Sequence, residues 1–179
     1  FEPVIQFLRE AVNDPLVLAI KQTIYRTGSE SVLMELLIEA AQHGIGQLRI
    51  SVSAGEGLPD ATRQLWKEAS GLEMLDGIGA TEMFHIFISA APADVKRGAI
   101  GRVVPGYQAK IVDEQGNDLP RGQVGRLAVK GPTGCKYLDD ARQANYVQDG
   151  WNYPGDAFLQ DADGYFFYQA RADDMIITA

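Results

Sequence analysis

A hydroxyl and a carboxylate stand side by side in the stretch Asp76–Met83, just after two closely spaced glycines. Gly77 and Gly79 allow the backbone to approach a flat or anionic ligand, because a Cβ would otherwise hold that ligand away. Thr81 can donate a hydrogen bond to a phosphate oxygen, and Glu82 can bind a hard cation such as Mg²⁺ together with water and substrate phosphates. The stretch therefore suits a phosphate and a metal ion. Taken alone, it favours a simpler alternative, an ordinary turn in which Thr81 caps a helix.

The residues around this stretch predict a strand, a helix and a second strand. Residues 48–53 alternate and are rich in β-branched side chains, Pro59 to Gly71 has the start and stop signals of a helix, and Glu73–Leu75 is a short strand candidate. A strand–helix–strand unit is typical of a parallel sheet, whose ligands lie beyond the carboxyl ends of the strands. We therefore expect Asp76–Glu82 and the glycine turn at 54–57 to be loops at one sheet edge.

The segment before residue 48 predicts further regular structure. Val4–Val12 has apolar residues on one helical face, Leu16–Ile20 predicts a buried strand, and Ser29 could cap a helix that runs to Gly44. In the helix that ends at Gly71 we expect three side chains to pack inward: Leu65, Trp66 and Ala69.

The character of the chain changes near Gly98. Tyr107–Asp113 alternates strictly, and a glycine-containing turn separates it from the next strand candidate, Gly125–Gly131. Further strand candidates of the same kind follow at 151–153, 157–160 and 165–169. Short strands at regular spacing predict a small antiparallel barrel or sandwich. The predicted fold class is therefore α/β, with a partial parallel βαβ sheet layer over residues 1–98 and an antiparallel β subdomain over residues 99–179.

Several stretches resemble, in the same order, the core motifs of the adenylate-forming superfamily, which comprises acyl-CoA synthetases, luciferases and peptide-synthetase adenylation domains. These stretches are Ser53–Pro59, Asp76–Met83, Gly122–Gly131, Trp151–Asp156 and Tyr168–Ile176. Within the superfamily, Thr81–Ile88 and Gly131–Gly134 look most like benzoate and 2-aminobenzoate CoA ligases. The resemblance implies that an aromatic carboxylate attacks the α-phosphate of ATP to give an acyl-adenylate, from which coenzyme A displaces AMP. The implied ligands are ATP or AMP, Mg²⁺, coenzyme A and an aromatic acid.

The resemblance also implies roles for individual residues. Thr81 would contact phosphate, and Glu82 would hold Mg²⁺. The residues expected around the nucleotide are Gly55, Asp76, Gly77, Ile78, Gly79, Asp156, Tyr168 and Arg171. The residues expected to line the acyl pocket are Ala54, Gly55 and His85. Asp173 would be the hinge about which a small C-terminal domain rotates. Asp156 also has support from its own chemistry, because a carboxylate can accept hydrogen bonds from both hydroxyls of a ribose.

Simpler interpretations compete with several of these roles. A lone histidine in an apolar stretch is more often a hydrogen-bonded core residue than an acid or base, so we expect His85 to contact substrate and not to transfer a proton. Gly55 could serve a tight turn alone, and Arg171 with Asp173-Asp174 could be a solvated charge cluster. Asp161–Gly164 resembles the start of a calcium loop, but the expected downstream carboxylates are missing, so we expect a turn.

Composition limits the classes of partner. The 179 residues include 16 basic and 24 acidic side chains, and the net charge of −8 disfavours a nucleic-acid or anionic-membrane surface. The apolar runs are shorter than the roughly 18 residues of a membrane span, and no signal peptide is visible. Cys135 is the single cysteine, which excludes an internal disulfide and fits a reducing cytosol. We therefore expect a cytoplasmic protein with an incidental thiol.

The resemblance places a phosphate loop before the first residue and a lysine-bearing domain after the last. We therefore expect an internal piece of a larger enzyme that is nearly inert alone, since stabilisation of phosphate charge is the main catalytic contribution in such reactions. Two alternatives remain open. One is a non-catalytic nucleotide-binding or partner-binding module on the same scaffold, and the other is a chain that forms a homodimer through an exposed apolar face.

Overall fold

The computed structural model of the chain describes residues 2–17, 20, 31–42, 50–55 and 57–171. By its internal contacts the chain divides into two units, Phe1–Leu75 and Asp76–Ala179. The predicted change of domain near residue 98 stays a prediction. Several sequence predictions fall wholly or partly outside the described residues, among them the strand at Leu16–Ile20, the helix cap at Ser29 and the hinge at Asp173.

Helices α1 (Glu2–Asn13) and α2 (Val32–Gln42) pack together in the first unit and confirm two predicted helices. Ser31 caps α2, because its hydroxyl oxygen accepts a hydrogen bond from the Met34 N–H at 3.3 Å. The side chains buried between the two helices recur at helical spacing and are Ile5, Leu8, Val12, Leu33, Leu36 and Ala40.

Strand β1 (Ser51–Ala54) and helix α3 (Asp60–Ser70) follow in the first unit, as predicted. Gly71 ends α3 in the left-handed conformation, with φ of 73°, which glycine adopts without strain. Its N–H donates a hydrogen bond to the Lys67 carbonyl at 2.8 Å, so the last turn of the helix is closed.

The inward face of α3 differs from the prediction at one position. Trp66 is buried, but Leu65 is 56% exposed, so the prediction for Leu65 is wrong. Adjacent positions of a helix point about 100° apart, and the large indole of Trp66 takes the inward direction. Trp66 packs against Met34, Leu58 and Met74.

Strand β2 (Met74–Gly79) is longer than the sequence predicts. Asp76–Gly79 was expected to be a loop, but it belongs to this strand and pairs antiparallel with β3 (Ile86–Ser89), where Gly77 lies opposite Ser89. The loop prediction is therefore wrong for these four residues. Glycine-rich sequence carries a weak local strand signal, whereas pairing with β3 satisfies the backbone groups.

A 3₁₀ turn, Thr81–Met83, connects β2 to β3. The simpler interpretation expects a turn, which is present, but Ala80 precedes that turn and no side chain caps it, so the expected role of Thr81 as a helix cap is wrong. The apolar stretch that contains His85 continues as a strand from Ile86 onward. β3 pairs in turn with β4 (Arg102–Val103).

The second sheet is antiparallel throughout, as the sequence predicts for this region. Its strands are β5 (Gln108–Val112), β6 (Val124–Lys130), β7 (Val147–Gln148), β8 (Trp151–Asn152), β9 (Asp156–Gln160) and β10 (Phe166–Arg171). They lie in the order β10-β9-β6-β8-β7, and β5 pairs with β6. The short helix α4 (Arg142–Tyr146) precedes β7. Helices and strands together give the predicted α/β class.

The turn between β9 and β10 is structural, as expected. One carboxylate oxygen of Asp161 accepts hydrogen bonds from the N–H groups of Asp163 and Tyr165, at 3.0 and 2.8 Å. The other oxygen pairs with Lys96 at 2.6 Å. Both carboxylate oxygens of Asp161 are therefore bound by groups of the protein itself.

The core of the second unit reaches from the second sheet to the 3₁₀ turn. Its members are at most 4% exposed and are Met83, Phe87, Ile88, Ile111, Leu127, Val129, Phe158 and Phe166. Met83 therefore fixes the turn that carries Thr81 and Glu82. In the described part of the chain, no helix is long and apolar enough to cross a bilayer.

Candidate functional site

Thr81 and Glu82 are presented by a turn whose third residue is buried. Met83 is fully buried, whereas Thr81 is exposed and Glu82 is half-buried. The N–H of Met83 donates to the Ala80 carbonyl at 3.0 Å, and the N–H of Phe84 donates to the Thr81 carbonyl at 3.1 Å. A hydroxyl and a carboxylate are thus held together at the surface on a fixed backbone.

The glycines of β2 have a packing role in this structure. A Cβ on Gly79 would lie 2.3 Å from the carbonyl oxygen of His85, and one on Gly77 would lie 2.6 Å from Cδ1 of Ile86. The pairing of β2 with β3 shifts register between Ile78 and Gly79. The close approach that these glycines permit is therefore between strands, and it brings the chain into the turn at Thr81.

Phe84 and His85 follow the turn at the surface. Phe84 has φ of 65° and ψ of −37° and is 74% exposed, and the N–H of His85 donates to the Met83 carbonyl at 2.8 Å across it. This is a γ-turn of the rare, strained kind, in an aromatic residue. His85 is exposed, so the interpretation of His85 as a core residue is wrong.

The carboxylate of Glu82 accepts a hydrogen bond from the hydroxyl of Tyr137, 55 residues later in the sequence. The backbone N–H of Tyr137 donates to Oε1 of Gln143 at 2.8 Å. The ring of Tyr137 packs edge-to-face against Tyr146, with centroids 5.8 Å apart, and the guanidinium of Arg142 lies 5.0 Å from its centroid. Tyr137 was not predicted from the sequence, because no local pattern links it to Glu82.

Two tyrosines and a thiol near Glu82 have raised pKa values, and the charged Arg142 guanidinium also interacts with this carboxylate. The hydrogen bond to Glu82, assisted by burial, raises the pKa of Tyr137 to about 12. Burial is the main cause that raises the pKa of Tyr146 and of Cys135, and the charge of Glu82 acts in the same direction on both. Cys135 is therefore a protonated thiol at neutral pH, which fits the expected incidental cysteine.

Thr133 connects the turn to the second sheet. Its hydroxyl donates to the Met83 carbonyl at 2.9 Å and lies 2.6 Å from the hydroxyl of Tyr107. A threonine hydroxyl has one hydrogen, so Tyr107 is the donor in the second bond. Residues 133–137 thus contact the turn at two points, the Met83 carbonyl and the Glu82 carboxylate.

Asp156 and Arg171 form an ion pair at the start of β9. Asp156 is 7% exposed, and its Oδ1 lies 3.1 Å from Nη1 of Arg171, which also donates to the Pro154 carbonyl at 3.2 Å. Burial raises the pKa of the Asp156 carboxyl, and the charge of Arg171 opposes that shift. The structure thus pairs two residues for which the resemblance implies a place at the nucleotide.

A bulge in β10 creates this pair. Tyr168 lies opposite Phe158, but Ala170 lies opposite Ala157 and Arg171 opposite Asp156. In a regular ladder Ala170 would face Asp156, so the extra residue moves the guanidinium into place. Tyr168 is 43% exposed and packs edge-to-face on Phe158, with centroids 5.5 Å apart.

Four predicted site residues remain: Ala54, Gly55, Asp76 and Asp173. In the first unit, Ala54 is half-buried at the end of β1, and Gly55 is exposed with φ of 103°, a left-handed conformation that favours glycine. Asp76 is buried, and its carbonyl accepts a hydrogen bond from the Ser89 hydroxyl at 2.6 Å. Asp173 lies outside the described residues.

Known proteins match this chain over much of its length. Residues 19–137 match the profile of a family described as AMP-binding enzyme. Benzoate–CoA ligase of Thauera aromatica is 36% identical over 141 residues, which cover 77% of this chain and 27% of the ligase. Anthranilate–CoA ligase of Pseudomonas aeruginosa is 34% identical over 139 residues, which cover 75% of this chain and 26% of that protein.

Solved structures give a similar result. The anthranilate CoA ligase AuaEII in complex with anthranoyl-AMP is 38% identical, with a TM-score of 0.71, over 80% of this chain and 29% of that chain. A benzoate CoA ligase from Burkholderia xenovorans LB400 is 30% identical, with a TM-score of 0.68, over 98% of this chain and 35% of that chain. The chain spans about a quarter of the length of the curated relatives that it matches.

Proposed function

Since the chain belongs to the family of AMP-binding enzymes, we propose that its protein activates an aromatic carboxylate with ATP as an acyl-adenylate and transfers the acyl group to coenzyme A. The observation that carries the proposal is the turn Thr81–Met83, which holds a hydroxyl and a carboxylate side by side at the surface. The ligases that this chain resembles are named for benzoate and anthranilate, which supports an aromatic acid as substrate.

Glu82 would hold Mg²⁺ together with the phosphates of the nucleotide. Among the described residues, no group of three or more His, Cys, Asp or Glu side chains could hold a metal ion by itself. A single carboxylate nevertheless fits Mg²⁺, because this ion commonly takes one or two carboxylates and completes its shell with water and phosphate oxygens. When bound, the ion would supply neutralisation of phosphate charge. Thr81 would donate its hydroxyl hydrogen to a neighbouring phosphate oxygen.

Asp156 would accept hydrogen bonds from the ribose hydroxyls. A carboxylate does this best in its ionised form, and Arg171 opposes the neutralising effect of burial on Asp156. Arg171 is half-exposed and would also be available to a phosphate oxygen. The other residues proposed around the nucleotide are Gly55, Asp76, Gly77, Ile78, Gly79 and Tyr168.

The aromatic acid would lie near Ala54, Gly55 and His85. His85 is exposed directly after the γ-turn, so its ring is accessible to a ligand. We propose that it contacts the substrate and transfers no proton. Asp173 is proposed as the hinge. A cytoplasmic location and self-association through an apolar face both stay predictions.

The proposal is tested by benzoate-dependent exchange of pyrophosphate into ATP, measured on the full-length protein. We expect exchange with benzoate or 2-aminobenzoate, and a fall of about 100-fold in Glu82→Gln, because a fixed charge next to the reacting phosphate is lost. Glu114→Gln is the matched control, since Glu114 is exposed in the turn after β5 and should leave the rate unchanged. Exchange that is absent with every aromatic acid would overturn the proposal.

Titration of this chain with AMP and a non-hydrolysable benzoyl-adenylate mimic separates the enzyme from its alternative. A non-catalytic nucleotide-binding module would bind AMP at full strength by itself while the full-length protein shows no exchange. We expect binding of the mimic to be lost in Asp156→Ala, because the ribose loses its acceptor.

A further inference from the structure

We propose that Tyr137 is a positioning residue for the carboxylate of Glu82. The inference deepens the proposed function and depends on it, because it requires Glu82 to bind a divalent cation. Tyr137 itself would touch neither the nucleotide nor the acid. Its contribution would be to hold the carboxylate in one orientation before the cation arrives.

The hydroxyl of Tyr137 is hydrogen-bonded to the Glu82 carboxylate. Among the described residues, Tyr137 is the one hydrogen-bond donor to Glu82, and it engages Oε1. A carboxylate has two oxygens, so Oε2 stays available to a cation while Oε1 is held. Glu82 can therefore accept the hydrogen bond from Tyr137 and bind a cation at the same time.

The tyrosine ring is fixed on several sides. Tyr146 packs against its edge, the guanidinium of Arg142 lies over it, and the Tyr137 N–H bonds to Gln143. Arg142 is held in turn by Asp140, with Nε and Nη2 at 2.9 and 2.6 Å from Oδ2. A hydroxyl on such a ring is an oriented donor rather than a mobile one.

The turn that carries Glu82 is held by the same segment of chain, residues 133–137. Thr133 bonds to the Met83 carbonyl at 2.9 Å, four residues before Tyr137 bonds to the Glu82 side chain. The backbone under Glu82 and the carboxylate at its end are thus positioned by one stretch of chain. This double contact distinguishes Tyr137 from a tyrosine that meets a surface carboxylate by chance.

Hydrogen-bond partners of metal-binding carboxylates have a measurable effect on metal affinity. Their loss typically weakens metal binding by 10- to 100-fold, because the ligand must then be ordered when the ion binds. We therefore expect Tyr137→Phe to weaken cation binding about tenfold. The ring stays, so its packing against Tyr146 and Arg142 is preserved.

The test is a titration of the full-length protein with Mn²⁺, followed by electron paramagnetic resonance, in the presence of α,β-methylene ATP. Tyr165→Phe is the matched control, because Tyr165 also loses one hydrogen bond, from its hydroxyl to the Asp94 carbonyl at 3.0 Å. Expected results are about tenfold weaker Mn²⁺ binding in Tyr137→Phe, no change in Tyr165→Phe, and no further loss when Tyr137→Phe is added to Glu82→Gln.

The outcomes distinguish the two proposals. Equal Mn²⁺ binding by Tyr137→Phe and the unaltered protein overturns the role of Tyr137 and leaves the ligase proposal intact. Tighter binding also overturns it, since the hydroxyl would then compete with the cation. If Glu82→Gln leaves Mn²⁺ binding unchanged, the metal role of Glu82 fails, and the role of Tyr137 fails with it. Absence of pyrophosphate exchange tests the ligase proposal separately.

Discussion

Arg171 lies opposite Asp156 because strand β10 contains one extra residue, and the two side chains meet at 3.1 Å between Nη1 and Oδ1. Asp156 is nearly buried, whereas Arg171 is about half-exposed. The guanidinium therefore offsets part of the cost of burying the carboxylate, while water screens the interaction from one side.

Replacement of Arg171 should change how stability depends on pH. Burial raises the pKa of Asp156 in the folded protein, so the native state binds more protons than the unfolded state, and this residue destabilises the fold as pH rises above about 4. Arg171→Gln removes the opposing charge and raises that pKa further. We expect a loss of about 1 kcal/mol at pH 7 that shrinks towards pH 4.

Thermal unfolding of the two proteins between pH 4 and pH 7 checks this expectation. The double variant Asp156→Asn, Arg171→Gln is the control, because it carries no carboxylate at this position. The difference in melting temperature between this double variant and Asp156→Asn should be independent of pH. A loss in Arg171→Gln that is constant over the range would contradict the assigned cause.

Gly79→Ala should destabilise the protein by about 1–3 kcal/mol, the usual cost of forcing extra atoms into packed structure. The added Cβ would lie 2.3 Å from the His85 carbonyl oxygen, and this backbone atom cannot rotate away. Gly57→Ala is matched to it, since nothing among the described residues lies within 4 Å of the corresponding Cβ. Urea denaturation should show the loss in the first variant and a change below about 0.5 kcal/mol in the second.

The γ-turn at Phe84 predicts an unusual order of stability. Phe84→Gly should be more stable than Phe84→Ala by about 1 kcal/mol, because alanine keeps the Cβ that conflicts with a positive φ and glycine does not. Elsewhere in a chain, glycine is normally the less stable of the two. Denaturant midpoints of the two variants decide the question, and a more stable alanine variant would show that the backbone is not strained.

Thr133→Val should lower the free energy of unfolding more than Tyr107→Phe does. The valine keeps the shape of threonine but leaves two groups without a partner, the Met83 carbonyl and the Tyr107 hydroxyl, whereas Tyr107→Phe removes one bond. We expect about 2 kcal/mol for the first and about 1 kcal/mol for the second. In a double-mutant cycle the two losses should be less than additive, and full additivity would show that the hydroxyls do not interact.

Local patterns in the sequence predicted most of the elements. α1, α3, β5 and β6 were found because their apolar residues repeat at helical or strand spacing, and glycines mark where several elements end. These signals depend on a few neighbouring residues. They are therefore present in the sequence before any tertiary contact is known.

Several features that the sequence did not reveal depend on pairing between separate segments of the chain. Asp76–Gly79 is strand because β3 pairs with it, and Tyr137 reaches Glu82 across 55 positions. The bulge that places Arg171 opposite Asp156 is visible only in the register of β9 and β10. Such pairings leave no periodic trace in either segment.

The contacts of Thr133 and Tyr137 also bear on when the site can form. They join residues 50 and 55 positions apart, so a nascent chain that has not yet emerged as far as Thr133 lacks both. Contacts of long sequence separation form late, because the intervening loop must close first. The turn at Thr81 is closed by its own backbone hydrogen bonds, whereas the orientation of its carboxylate depends on a residue 55 positions later in the chain.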